Sequence, residues 1–332
     1  MKNLKTYFSK AAKIAGKNKA ITDCSEAFFK DGWLTVSDLE CFYSFKSDLF
    51  KDLSGKLDFK LFYEAVKNAK FIPEIKVIPN YILVGMTKLP ISNDQWLVSE
   101  AENLESKGSL TQSDIETIQN ISVFCGKDEL RQAMQGVAIN RYARTGEICA
   151  TNAHYLKTAI ISNLEIDGII PQRYCPLLFA GTCKSNQGHL KIESETESIQ
   201  IRLIDAKYPD YHVVIPTNNP IKVNFNKKDL LQAIKTLSLT VNKNTDRIDF
   251  NFKPDNTCDF HSEDIDFNLE THLSLPYLGE GTDLEISFNW RYLETILKSD
   301  SSEEVLIEGS IYNRAVLINT YSLLMPVMRV LK

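Results

Sequence analysis

Lysines recur at helical spacing in this sequence, and a row of ammonium groups along one helix face is suited to holding phosphate. The first 20 residues hold six lysines, at positions 2, 5, 10, 13, 17 and 19, and no acid. At 3.6 residues per turn, Lys10, Lys13 and Lys17 share one helix face, while Leu4, Phe8, Ala11 and Ala15 share the opposite one. The pattern returns three times. Lys60 and Lys67 oppose Phe62, Ala65, Val66 and Ala69, with Glu64 near Lys67. Lys228 and Lys235 oppose Leu230, Ile234 and Leu237, and Arg291 and Lys298 oppose Leu293, Ile296 and Leu297. The middle of the chain offers only Lys127, Arg131 and Arg173. Surface helices commonly carry outward charge, but here one sign recurs on four helices of a chain whose net charge is -5. Contacts of this kind grip a phosphate backbone without reading sequence, and salt weakens them.

Other chemistries lack a signature. The Gly-Lys pairs at 16–17, 55–56 and 126–127 are followed by Asn, Leu and Asp, where a phosphate-binding loop needs Ser or Thr. His154, His189, His212, His261 and His272 show neither H-x-x-x-H nor H-E-x-x-H spacing. The seven cysteines form no C-x-x-C pair, which favours a reducing compartment and thiols as core filler. Cys175, Cys183 and His189 match no common zinc spacing. The acidic runs at 193–197 and 300–304 read as solvated loops. The expectation is a cytoplasmic protein that is not an enzyme and needs no metal or cofactor. No apolar run is long enough to span a bilayer, and the N-terminus lacks the pattern of a secretory signal. The net charge excludes a uniformly basic nucleic-acid binder but leaves room for segregated basic faces.

The elements that must position these residues recur about every 110 residues. Paired amphipathic helices are expected at 3–17 and 57–70, at 127–136 and 171–181, and at 227–239 and 289–298, with Asn226 and Asn289 as N-caps of the last two. Alternation and β-branched or aromatic content place strands between them. In the first third these are 27–29, 34–36, 41–45, 75–78 and 81–86; in the middle third 136–139, 147–150, 190–193 and 199–203. The last third adds 248–252, 265–269, 284–288, 305–308, 315–319 and 322–325. Turn signals stand at Asp31-Gly32, Thr145-Gly146, Pro254-Asp255-Asn256 and Gly279-Glu280-Gly281. Residues 100–114 and 216–220 read as linkers. Chain length allows two or three domains, and the repeat selects three α+β domains at 1–115, 121–216 and 220–332.

Six stretches resemble one family. DGWLTVSDLE (31–40) looks like a first-domain strand pair of the bacterial DNA polymerase III beta subunit, the beta sliding clamp. GEICATNAHYL (146–156) and YPDYHVVIP (208–216) resemble second-domain motifs of that family. KDLLQAIKTLSL (228–239), SFNWRYLETIL (287–297) and LLMPVMRVLK (323–332) resemble third-domain ones. Each is weak alone, and their shared order and spacing make the signal.

The resemblance implies three repeated clamp domains, each with two helices against antiparallel sheets, two chains closing head to tail as a homodimeric ring around double-stranded DNA. The helices would line the hole, with Lys10, Lys13, Lys17, Lys60, Lys67, Arg131, Arg173, Lys228, Lys235, Arg291 and Lys298 toward the duplex. It also implies a hydrophobic pocket between domains two and three for short peptides of the replicative DNA polymerase, the clamp loader and other clamp-binding-motif proteins. Carried over by motif, that pocket uses Met134, Thr151, Ala153, His154 and Leu156. Pro209, Val213, Val214, Asn289 and Tyr292 join it, as do Leu323, Met325, Pro326, Val327 and Met328 from the tail. Against the family pattern, Asn152-Ala153 replaces Asp-Gly, Tyr155 and Val213 stand where arginines are usual, and the tail has extra residues. These departures imply a pocket rim with less charge. The rival reading is a clamp-fold accessory protein that binds replication partners without encircling DNA.

Overall fold

The computed structural model describes residues 2–18, 20–68, 74–97, 101, 103–140, 146–161, 164–280 and 282–327. The chain divides into two compact units, residues 1–116 with 162–205, and residues 117–161 with 206–332.

In the first unit the alternating runs pair as an antiparallel sheet. Its order is Gly55–Asp58, Glu26–Lys30, Trp33–Ser37, Cys41–Lys46, Glu197–Arg202, His189–Glu193, Gly181–Ser185 and Glu105–Leu110. The Asp31-Gly32 turn takes positive φ at both residues, 52° and 81°, the backbone that a two-residue hairpin between right-twisted strands requires. Every second side chain on the central strands is buried: Leu34 and Val36, then Cys41, Tyr43 and Phe45, then Ile199 and Ile201. Helices α1 (Lys2–Ala11) and α2 (Phe59–Asn68) set their apolar stripes against an aromatic cluster. Phe8 meets Phe45 edge-on at 5.2 Å, and Phe62 meets Phe29 at 5.1 Å. Strands Ile75–Ile78, Tyr81–Val84 and Thr87–Pro90 form a separate meander.

The second unit holds a sheet that runs, in order, Gly136–Asn140, Glu147–Thr151, Tyr155–Ile160, Ser322–Leu324, Val316–Ile318, Glu304–Gly309, Ile221–Asn226 and Leu278–Gly279. Another runs Leu269–Pro276, Thr257–Asp264, Arg247–Phe252 and Leu284–Asn289. Phe225, Phe250, Phe252, Phe260 and Phe288 fill its core. Both expected N-caps form: Asn226 Oδ1 accepts from the Asp229 amide at 3.1 Å, and Asn289 Oδ1 from the Arg291 amide at 2.9 Å.

Several expectations need correction. The helix that begins the chain ends at Ala11, so Lys13 and Lys17 lie on the turn beyond it, where Gly16 takes φ 73°. Residues 127–136 form no α-helix; they hold a 3-10 segment, Glu129–Gln135, capped by Asp128. The α-helix of this region lies upstream as α3 (Gln112–Ser122), inside and beyond the expected linker. Its start is fixed by a reciprocal cap. Asp114 N donates to Thr111 Oγ1 at 3.2 Å, and Asp114 Oδ2 accepts from Thr111 N at 2.8 Å. Ile115, Ile118 and Ile121 supply its buried stripe. The rest of that expected linker includes the strand Glu105–Leu110. Residues 171–181 hold a 3-10 turn, Gln172–Leu177, with Pro176 inside it, followed by a strand. Residues 265–268 are the turn of a hairpin where a strand was expected, with Asn268 at φ 53° and Phe267 exposed at its tip.

Candidate functional site

Of the four expected basic faces, that of α4 (Lys227–Leu237) keeps its charges free. Leu230, Ala233, Ile234 and Leu237 are buried, which turns Lys228 and Lys235 outward to solvent. Among the described residues neither makes an ion pair. They line a cleft of about 860 Å³ with Lys227, Leu231 and, from α5 (Trp290–Ser299), Glu294 and Lys298. Lys227 donates to the Asp300 carbonyl.

Six of the other nine expected cations have partners. Lys298 pairs with Glu294 at 2.7 Å, and Arg291 pairs with Asp246 at 2.8 Å while lying over the Trp290 ring. Lys67 faces Glu64 at 3.6 Å, Arg131 faces Asp128 at 3.5 Å, and the Arg173 guanidinium lies over Tyr174. Lys13, Lys17 and Lys60 are exposed. Lys10 overturns its expected place on a solvent face. Its Nζ meets Glu197 Oε1 at 2.7 Å and lies 4.9 Å from the Phe179 ring centroid, with the side chain only 14% exposed. The same carboxylate oxygen accepts from Tyr43 Oη at 2.6 Å.

The residues expected to form a pocket lie in the second unit, and three of their four stretches meet. Strand Tyr155–Ile160 pairs antiparallel with Ser322–Leu324, placing Leu156 opposite Leu323. The tail continues alongside the motif hairpin: Met325 N donates to His154 O at 2.8 Å and Val327 N to Ser287 O at 2.8 Å. Asn289 caps α5 and so places Tyr292, whose ring stacks on both Tyr155 (4.7 Å) and His154 (5.8 Å). The result is an aromatic rim of His154 and Tyr292 beside half-exposed Met325, with Pro326 and Val327 partly covered. Ala153 sits at the hairpin tip with φ 75°. Asn152 Oδ1 fixes the tip by accepting from the amides of His154 and Tyr155, at 2.9 and 3.1 Å.

Thr151, Leu156 and Leu323 are buried under the rim rather than open to a ligand. Leu156 and Leu323 join Cys149, Tyr211 and Ala315 in one apolar cluster, against which Tyr208, Ile215 and Leu317 pack. Tyr208, Tyr211, Ala315 and Leu317 were not expected there; the signal for the tyrosines was their spacing of three within YPDY. Val213 and Val214 remain exposed on the short turn Tyr211–Val214, which His212 ties to Glu147 at 3.1 Å. Pro209 and Met134 line a different depression, of about 360 Å³, with Leu130, Arg131, Ala206 and Lys207. Met328 lies outside the described residues.

Burial sets the electrostatics beneath the rim. It pushes the Tyr155 phenol up to about 12, aided by Tyr292 and Cys125, so Tyr155 remains a donor to the Val123 carbonyl at 3.0 Å. Burial also lowers the Lys157 ammonium, against the pull of Asp300. Lys157 Nζ donates at 2.8 Å to both the carbonyl and the hydroxyl of Ser299, fastening the end of α5 to the motif strand. The thiols of Cys125 and Cys149 are raised by burial, which leaves them as inert core groups.

Known proteins match this arrangement at three levels. Residues 212–322 match the family described as DNA polymerase III beta subunit, C-terminal domain. The beta sliding clamp of Chlamydia muridarum is 23% identical over 225 residues, covering 63% of this chain and 60% of that protein. The Bacillus subtilis beta sliding clamp is 28% identical over 120 residues, or 36% of this chain and 32% of that protein. The chain spans about 60% of the length of the first curated relatives it matches. In fold, a DNA polymerase sliding clamp from Pseudomonas aeruginosa superposes with TM-score 0.85 over 97% of both chains at 18% identity. The DNA polymerase III beta subunit from Thermotoga maritima gives 0.83 over 98% of this chain and 97% of that one at 19% identity. Profile, relatives and fold all point to the DNA polymerase III beta subunit, with the profile match confined to residues 212–322 and the likeness in fold extending over 97% of the chain.

Proposed function

We propose that this chain is a DNA sliding clamp: a non-catalytic processivity factor that encircles duplex DNA and tethers the replicative polymerase. The observation that carries the reading is the outer face of α4. Among the described residues Lys228 and Lys235 are unpaired, and they stand seven residues apart on an acidic chain, inside the segment that matches the family. Two such cations contact phosphates without reading bases. In a closed ring, topology supplies retention, so weak and mobile contacts suffice. The ring is a head-to-tail homodimer of three clamp domains per chain, at 1–115, 121–216 and 220–332. Its remaining duplex contacts come from Lys13, Lys17, Lys60 and, at the cost of their ion pairs, Lys67, Arg131, Arg291 and Lys298, with Arg173. The protein works in the cytoplasm. Among the described residues, no helix is long and apolar enough to cross a membrane.

The His154, Tyr292 and Met325 rim is the docking site for the linear motifs of polymerase, clamp loader and other partners. Apolar groups with a few polar anchors suit a peptide groove, and methionine adapts to varied ligands. The first test is solution mass across a concentration series. A mass near twice the 37.7 kDa chain, with retention on circular but not linearised DNA, supports the ring. A persistent monomer overturns it and leaves an accessory protein. For the rim, Met325→Ala with His154→Ala should weaken a clamp-binding peptide by about 2 kcal/mol or more. Unchanged affinity in the folded double variant would remove the docking assignment.

A further inference from the structure

Outside these sites, the hairpin Thr257–Asp264 and Leu269–Pro276 of the second unit gathers a set of metal-type donors. His261 lies directly opposite His272, and Glu263 opposite Glu270. Residues two apart on a strand share a face, so all four side chains emerge on one side. The two imidazoles stack at 4.5 Å between centroids. Both Nε2 atoms approach the same oxygen, Glu270 Oε1, at 3.1 Å from His261 and 2.7 Å from His272. The three donor atoms lie within 4.8 Å of one another. In a tetrahedral zinc site, metal–ligand bonds of about 2.0–2.1 Å separate neighbouring donors by roughly 3.3 Å. The donors therefore stand close to their mutual spacing around one ion.

A second observation points the same way. Nδ1 of His261 faces Asp249 Oδ2 at 3.4 Å, and Asp249 is buried, with its carboxylate held by Ser287 Oγ at 2.5 Å and Arg247 Nε at 3.1 Å. A neutral imidazole has one N–H. If His261 gives it to Asp249, Nε2 is left with a lone pair that cannot donate to Glu270. A cation between Nε2 and the carboxylate satisfies both, and a carboxylate behind a ligating histidine is the usual outer support of such sites.

We propose that His261, Glu270 and His272 bind a late first-row divalent cation of the zinc class, with solvent completing the coordination. Two imidazoles and one carboxylate favour such ions over magnesium or calcium, which prefer all-oxygen shells. The test is isothermal titration of the tag-free full chain with zinc chloride, with magnesium chloride as control. The expected result is one zinc per chain, no magnesium heat, and a thermal midpoint that rises with zinc, since an ion binding only the native state stabilises it by mass action. Asp249→Asn should weaken zinc by roughly 10–100-fold, the usual cost of a lost outer partner. His272→Ala should cost more and abolish the thermal shift. His272 is 67% exposed, so its variant folds, and that variant decides the matter should the buried Asp249 variant unfold. Absence of zinc binding, or binding in His261→Ala and His272→Ala as tight as in the unchanged chain, overturns the site.

Discussion

Helices α1 and α4 carry the same written pattern, lysines on one face and apolar residues on the other, yet they spend their charges differently. On α4, Lys228 and Lys235 stay in solvent above a buried stripe. On α1, Lys10 is drawn into the first unit by Glu197, a residue 187 positions away, and covered by Phe179. Helical periodicity says which side of a helix is polar. It does not say whether a charge at the edge of that side will meet a carboxylate from a distant strand. In the first unit Lys10 serves as a structural tie, whereas Lys228 and Lys235 of the second remain at the surface.

The widest gap between the two helices should appear in stability. Lys10→Ala removes the cation that faces Glu197 and leaves the carboxylate on the Tyr43 hydroxyl, and breaking so enclosed a pair should cost about 2–4 kcal/mol by urea unfolding. Lys228→Ala should stay within about 0.5 kcal/mol, as exposed substitutions do. Equal losses would erase the contrast. Next comes DNA. Lys228→Glu with Lys235→Glu should lower affinity about tenfold or more and flatten the logarithmic salt dependence by roughly 0.9 for each phosphate no longer neutralised. Survival of retention on circular DNA in that folded variant would remove α4 from the duplex face.

A smaller effect concerns pH. Burial, then the Glu197 carboxylate, raises the Tyr43 phenol well above its ordinary value. The folded chain keeps that proton where the unfolded chain loses it. The contribution of Tyr43 is therefore whole below pH of about 10 and falls as pH climbs further, at up to about 1.4 kcal/mol per pH unit. Tyr43→Phe should lessen the alkaline decline of the urea midpoint; an identical slope would mean the proton is not held there. Smallest of all, Glu64→Gln releases the exposed Lys67 and should alter stability by only a few tenths of a kcal/mol, while tightening DNA slightly. A large destabilisation would show that pair to be a structural tie like that of Lys10.

Much of the architecture was legible because it rests on local signals. The Asp31-Gly32 turn, the caps Asn226 and Asn289, and the alternation at 41–45 and 248–252 each encode an element within a few residues. What escaped depends on partners. Glu105–Leu110 buries only Leu110, so its polar sequence mimics a linker until Gly181–Ser185 pairs with it. Helix α3 carried its cap signature, Thr111-x-x-Asp114, but its polar residues and the start of the supposed linker masked it. At the candidate rim, motif order brought out His154, Tyr292 and Met325, whereas the burial of Leu156 and Leu323 follows from a strand pairing across more than 160 residues. The His261–His272 pair was likewise hidden, since eleven positions separate two rings that only the hairpin register sets side by side.

That long pairing also bears on synthesis. Strand Tyr155–Ile160 takes its neighbour from Ser322–Leu324, and residues 162–205 in between are claimed by the other unit. At about 5–20 residues per second on the ribosome, the strand waits roughly 10–30 s for its partner. During that interval it carries an open edge bearing Leu156, while the first unit already has all its segments. The second unit is thus the later to mature, and slowed elongation past residue 205 should lengthen the period in which chaperones can capture the nascent chain.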